Sequence, residues 1–189
     1  MRISPDKCVG CRICIPYCTV GAITYTSEKK CVISEDDCVE CYVCYNSKIC
    51  PKDAFERTPL QWPRLLRHEF SSPETAHRAT GIVGRGTEEM KTNDVTERYG
   101  LGVVGFTVDV GRPGVGARLN EVEKVAMAVA KIGVEFEPNN PVTALMVDKK
   151  TGRLADEVKD ERVLSCVMEF KTKEDKLLFV LDALKDVAK

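Results

Sequence analysis

The C-terminal half of the chain carries the clearest alternation of apolar and polar positions. Leu101–Val110 (LGVVGFTVDV) alternates with the period of two expected of a strand. Across 117–132, Leu119, Val122, Val125, Ala126, Val129 and Ile132 recur at helical spacing, and Gly133 follows as a natural stop. Residues 142–147 read as a second strand. Lys149 to Gly152 has turn chemistry, and 162–170 (RVLSCVMEF) reads as a third strand. Residues 173–188 predict a closing helix with Leu177, Leu178, Leu181, Leu184 and Val187 turned inward. The predicted order for 101–189 is β-α-β-β-α, one strand short of a split βαβ sandwich.

Upstream the periodicity fades. Pro59, Pro63, Pro73, Gly81, Gly84, Gly86 and Gly100 punctuate residues 57–100. Forty irregular residues inside a compact domain are uncommon. The expectation is an extended connector that orders on a partner, with a short helix near residues 63–68. Trp62, Arg64, Arg67 and His68 are of the types found in interface cores. Both histidines, His68 and His77, fall here and are expected to be exposed or partner-facing. No nucleophile–base pair is placed by spacing, so no catalytic residue is assigned.

Of 10 cysteines, 9 fall within the first 50 residues, and Cys166 is the other. The first residues have no apolar h-region of a secretory signal, and no run approaches the ~18 apolar residues of a membrane span. The expected compartment is the cytoplasm, where clustered cysteines point to metal rather than disulfides. With 28 basic and 29 acidic residues there is no basic nucleic-acid footprint.

The cysteines form an internal repeat. Cys8-Val-Gly-Cys11-Arg-Ile-Cys14, then Cys18 and Gly21-Ala22-Ile23, is followed by Cys38-Val-Glu-Cys41-Tyr-Val-Cys44, then Cys50-Pro51 and Asp53-Ala54-Phe55. The first three cysteines repeat at an offset of 30 and the fourth at 32. Structural zinc uses paired C-x₂₋₄-C knuckles. Two runs of C-x₂-C-x₂-C, each with a fourth cysteine, suit four-iron clusters better.

Residues 1–56 resemble the bacterial two-cluster ferredoxins. The resemblance implies two [4Fe-4S] clusters, the fourth cysteine of each run serving the other cluster. Cys8, Cys11, Cys14 and Cys50 would hold cluster one. Cys38, Cys41, Cys44 and Cys18 would hold cluster two. The chain departs from the family where Thr19 replaces the proline after Cys18, and where five residues rather than three separate Cys44 from Cys50. Cys31 and Cys166 read as buried core thiols. Glu35, Asp36, Asp37 and Glu40 beside the second run are expected to disfavour reduction of cluster two.

Arg112-Pro113-Gly114-Val115, entering a helix in a βαββα order, resembles ACT-type regulatory domains, which bind small molecules at this loop. The acidic residue usual before Arg-Pro is Gly111 here, and a structural turn is the simpler account of the loop. The connector and this loop also resemble iron–sulfur components of ring-reducing enzymes such as 6-hydroxynicotinate reductase.

The expected fold class is α+β: a 2[4Fe-4S] ferredoxin domain over 1–56, a connector over 57–100 and an ACT-like domain over 101–189. The expected function is relay of single electrons between a soluble donor and a larger catalytic oxidoreductase subunit, without nucleic acid or membrane. The alternative is a regulatory protein responding to redox state or a metabolite.

Overall fold

The computed structural model describes residues 1–81, 83, 97–112 and 115–189. Its N-terminal part is two copies of a short strand and a cysteine loop. Strand β1 (Arg2–Ile3) pairs with β4 (Phe55–Glu56), and β2 (Ile23–Tyr25) pairs with β3 (Cys31–Ile33), both antiparallel. The repeat seen in sequence is also a repeat of hydrogen bonds. Cys8 N–H donates to Ser4 O at 3.0 Å, as Cys38 N–H does to Ser34 O. Ser4 N–H donates to Ala54 O at 2.8 Å, as Ser34 N–H does to Ala22 O. Each copy thus closes on the other. The short helix α1 (Val43–Asn46) absorbs the start of the two-residue insertion.

The C-terminal part is built on strand β5 (Val103–Val110), β6 (Ala117–Arg118), helix α3 (Leu119–Ala130) and β7 (Glu135–Phe136). It continues through β8 (Met146–Asp148), β9 (Arg153–Leu154), β10 (Arg162–Val163), β11 (Cys166–Lys173) and helix α4 (Leu177–Val187). The main sheet has the order β5-β11-β7, with β11 antiparallel to both neighbours. β11 pairs with β5 over eight residues, from Cys166↔Val110 to Lys173↔Val103. Phe106 stacks on Phe170, and Phe136 meets Phe170 edge-on, so the centre of the core lies under β11. Leu119, Val122, Ala126 and Val129 of α3 and Val180 of α4 complete it.

The closing helix α4 turns a different face inward from the one expected: Val180 is buried, while Leu178 and Leu181 are exposed beside Phe179. Three further expectations differ from this structure. The second strand expected at 142–147 is a 3₁₀ turn over Thr143–Leu145 followed by β8, which pairs only with β9. The place beside β11 is taken by β7. Asn140 accounts for the change. It is fully buried, its amide donates to Val167 O and Glu169 Oε2, and its Oδ1 accepts from the N–H groups of Val142 and Thr143. A side chain that satisfies two backbone donors favours a turn over the strand its apolar neighbours suggest.

The strand expected at 162–170 breaks at Leu164, whose N–H goes to Ser71 Oγ at 2.9 Å. β10 therefore pairs with β6, and only β11 joins the main sheet.

The third difference is the connector. Residues 65–71 are helix α2 (Leu65–Ser71), and Leu66 and Phe70 are buried in the same core as α3 and β11. The apolar pair one turn apart is flanked by arginines and spans too little chain to show a sustained period. Tertiary packing, not propensity, holds so short a helix. His77 is also buried, at the edge of Phe70. Residues 65–72 are therefore a packed strap, and His77 anchors the more exposed stretch that follows. Ile82 and residues 84–96 of the expected connector, and Pro113-Gly114 of the glycine-rich loop, lie outside the described residues.

Candidate metal centre

Two cavities sit in the N-terminal part, and cysteines line both. The first gathers Cys8, Cys11, Cys14 and Cys50, with Cys31 in its wall. The second gathers Cys18, Cys38, Cys41 and Cys44. The fourth cysteine of each run lines the cavity of the other run. All eight are free thiols.

Backbone geometry aims donors at these sulfurs. Gly10 and Arg12 in the first run, and Glu40 and Tyr42 in the second, have positive φ. Alternating handedness turns successive N–H groups to one side, as in anion-binding nests. A Cβ on Gly10 would lie 2.0 Å from Lys29 O, so only glycine fits there. Farther along, Ala22 N–H donates to Cys18 Sγ at 3.1 Å and Ala54 N–H to Cys50 Sγ at 3.4 Å. This is the work of the repeated Ala22 and Ala54. Thr19, where the ferredoxins have proline, puts its hydroxyl 3.9 Å from Cys41 Sγ.

As bare thiols, Cys14, Cys38 and Cys44 resist ionising. Burial, then the Cys31 thiol, pushes Cys14 up to about 12. Burial, then the neighbouring Cys41, Cys38 and Cys18, pushes Cys44 up to about 12, and burial and Glu40 push Cys38 up to about 11. Burial also pushes Cys8 upward, but the N–H groups of Cys31 and Gly10 and the charge of Lys30 outweigh it and hold it below the ordinary value.

Among the described residues no three His, Cys, Asp or Glu side chains converge closely enough for a single metal ion. Four thiols of the repeat line each cavity instead, the number of ligands that a four-iron cluster takes. The family model of the 4Fe-4S binding domain matches residues 1–24. The chain carries a ferredoxin-like iron–sulfur segment. No solved structure matches the chain. The match takes in Cys8, Cys11, Cys14 and Cys18, so this segment contributes to both cavities.

The strap holds the loop beside the second cavity. Arg67 is 5% exposed and donates from one terminal nitrogen to the carbonyls of Glu35, Asp36 and Cys38 at 2.9–3.0 Å. Its Nε pairs with Glu161. Arg64 binds Glu40 Oε1 at 2.6 Å, and Glu40 is fully buried with its other oxygen 2.8 Å from the N-terminal ammonium of Met1. From the C-terminal part, Arg118 pairs with Asp36, and Arg162 with Asp37 at 2.7 Å.

The acids expected to repel electrons from the second site are thus largely neutralised. Asp36 is held below the usual carboxylate range by its hydrogen bond to Arg118. Sequence reading missed this clamp. Its only trace was three arginines without an acid between residues 57 and 68, read as a docking surface for another protein. Arg64 and Arg67 bind the chain's own loop, and Arg57 donates to Asn46.

The histidines differ in the same way. His68 Nδ1 donates to Glu40 O at 2.7 Å and its ring stacks on Tyr42, with centroids 4.4 Å apart. His77 is buried, and burial lowers its affinity for a proton despite nearby Glu69. Trp62 donates to Glu157 at 2.9 Å, an anchor within the chain. The glycine-rich loop also turns toward the metal region. Arg162 reaches both Asp37 and Val115 O, and a Cβ on Gly116 would lie 3.4 Å from Val20 Cγ1.

Proposed function

We propose that this chain is a two-cluster electron-transfer protein. Cys8, Cys11, Cys14 and Cys50 hold one [4Fe-4S] cluster, and Cys38, Cys41, Cys44 and Cys18 hold the other. The observation that carries the reading is the pair of four-cysteine cavities related by the repeat, each completed by a cysteine from the other run. Such clusters each take up and release one electron at potentials set by hydrogen bonds, charge and exposure.

The chain's residues supply the rest. Thiolates and N–H groups fix the cluster charge in place, and the sharing of ligands keeps the two sites adjacent. Cys11 is exposed, with Val9 and Ile13 open beside it, which supports exchange with other redox proteins at the first cavity. Residues 1–56 form the ferredoxin unit in this reading, and 101–189 an ACT-like βαββα unit that, with α2, braces the second site. The electrons pass between a soluble donor and a larger oxidoreductase subunit. No helix among the described residues is long and apolar enough to cross a membrane.

Anaerobically purified protein is expected to carry about eight irons and eight sulfides per chain, from the two-cluster ligand count. It should also co-purify with a larger oxidoreductase. Stoichiometric zinc with negligible sulfide would overturn the reading.

A further inference from the structure

The first cavity has a fifth thiol. Cys31 lies on β3, is 2% exposed and lines the same space as Cys8, Cys11, Cys14 and Cys50. Its N–H donates to Cys8 Sγ at 3.4 Å. The second cavity has no such thiol. At the repeat offset of 30 the counterpart of Cys31 is Met1, and Met1 lines the second cavity in the corresponding place. Two sites built alike therefore differ in one sulfur that can ionise and bind iron, against one that is a thioether.

We propose that Cys31 is a reserve ligand for the cluster in the first cavity. When the Cys14 thiolate is removed, Cys31 releases its proton to solvent and its sulfur bonds to the iron that Cys14 left. No electron is gained or lost in this exchange. A thiolate is the ligand such clusters take, and Cys31 already lines the same cavity as Cys14. The inference rests on the two-cluster reading above.

The repeat supplies an internal control, because Cys44 is to the second site what Cys14 is to the first. Iron and sulfide are counted in anaerobically purified Cys14→Ala, Cys44→Ala, Cys31→Ala and the Cys14→Ala/Cys31→Ala double variant. Cys14→Ala is expected to keep the full wild-type content, while Cys44→Ala loses half. The double variant is expected to lose half, and more than Cys31→Ala alone. NMR of Cys14→Ala with labelled Cys31 should show its β-protons strongly shifted by the paramagnetic cluster. Loss of half the iron in Cys14→Ala, with Cys31 intact, overturns the proposal, as does full iron without that shift. If Cys14→Ala does not fold, Cys14→Ser, close to cysteine in size, is read by the same shift. Wild-type protein with well under eight irons would instead overturn the two-cluster reading itself, before any variant is compared.

Discussion

Replacing Arg67 by methionine keeps the apolar stem and removes the guanidinium. Three loop carbonyls, those of Glu35, Asp36 and Cys38, then lose a shared donor, and Glu161 loses its cation with its side chain only 13% exposed. Breaking a buried pair from one side costs about 3–5 kcal/mol, and water reaching Glu161 puts this one near about 3. For a chain of this length that lowers the melting temperature by about 6–12 °C. Anaerobic thermal unfolding followed by circular dichroism measures it. Adding Glu161→Gln should recover part of the loss, because the stranded charge goes with it. The second site should also become harder to reduce. Arg67 bonds the carbonyl of a proposed ligand, Cys38, and an electrostatic change of about 1 kcal/mol is about 40 mV for one electron. EPR-monitored titration should therefore show one cluster moving to lower potential while the other stays. A melting shift below about 2 °C with both potentials unmoved would mean that α2 does not clamp this loop.

Thr19→Val removes the hydroxyl facing Cys41 Sγ. It should lower the potential of the second cluster alone, and an unchanged voltammogram would show that the hydroxyl does not donate to the sulfur. Phe70→Ala should cost about 3–5 kcal/mol, because Phe70 is 1% exposed in the C-terminal core. Amides of residues 65–71 should be protected from hydrogen exchange in the isolated chain, and free exchange there would restore the mobile-connector expectation. The cluster-free protein should lose stability as pH rises from about 9 toward 12. Cys14 and Cys44 are raised from 9.0 to about 12 and Cys38 to about 11, so the unfolded chain gives up its protons first. Loaded protein, its thiolates already ligated, should show no such loss from these groups, and identical pH profiles would contradict the cause assigned to the shifts.

The cysteine chemistry was legible in the sequence because its information is local. Cysteines two residues apart share one loop, the repeat at 30 and 32 marks two like cavities, and Ala22 and Ala54 each aim an N–H at the sulfur four residues before them. β5 and α3 were legible too, since each is long enough to display its own period, whereas α4 was legible as a helix but not in its buried face, which centres on Val180. What decides the setting of the second site was not local. Arg67 meets Glu161 across 94 residues and Arg162 meets Asp37 across 125, and nothing in the spacing of charges names such pairs. Leu66 and Phe70 are two apolar residues among arginines until α3 and β11 give them a core to enter. Residues 142–147 have a strand's composition, but Asn140 turns the chain there because its amide bonds to β11. Cysteine spacing is a property of the chain; the pairing of Asp36, Asp37 and Glu40 with Arg118, Arg162 and Arg64 belongs to the packed molecule, which brings distant parts of the chain side by side.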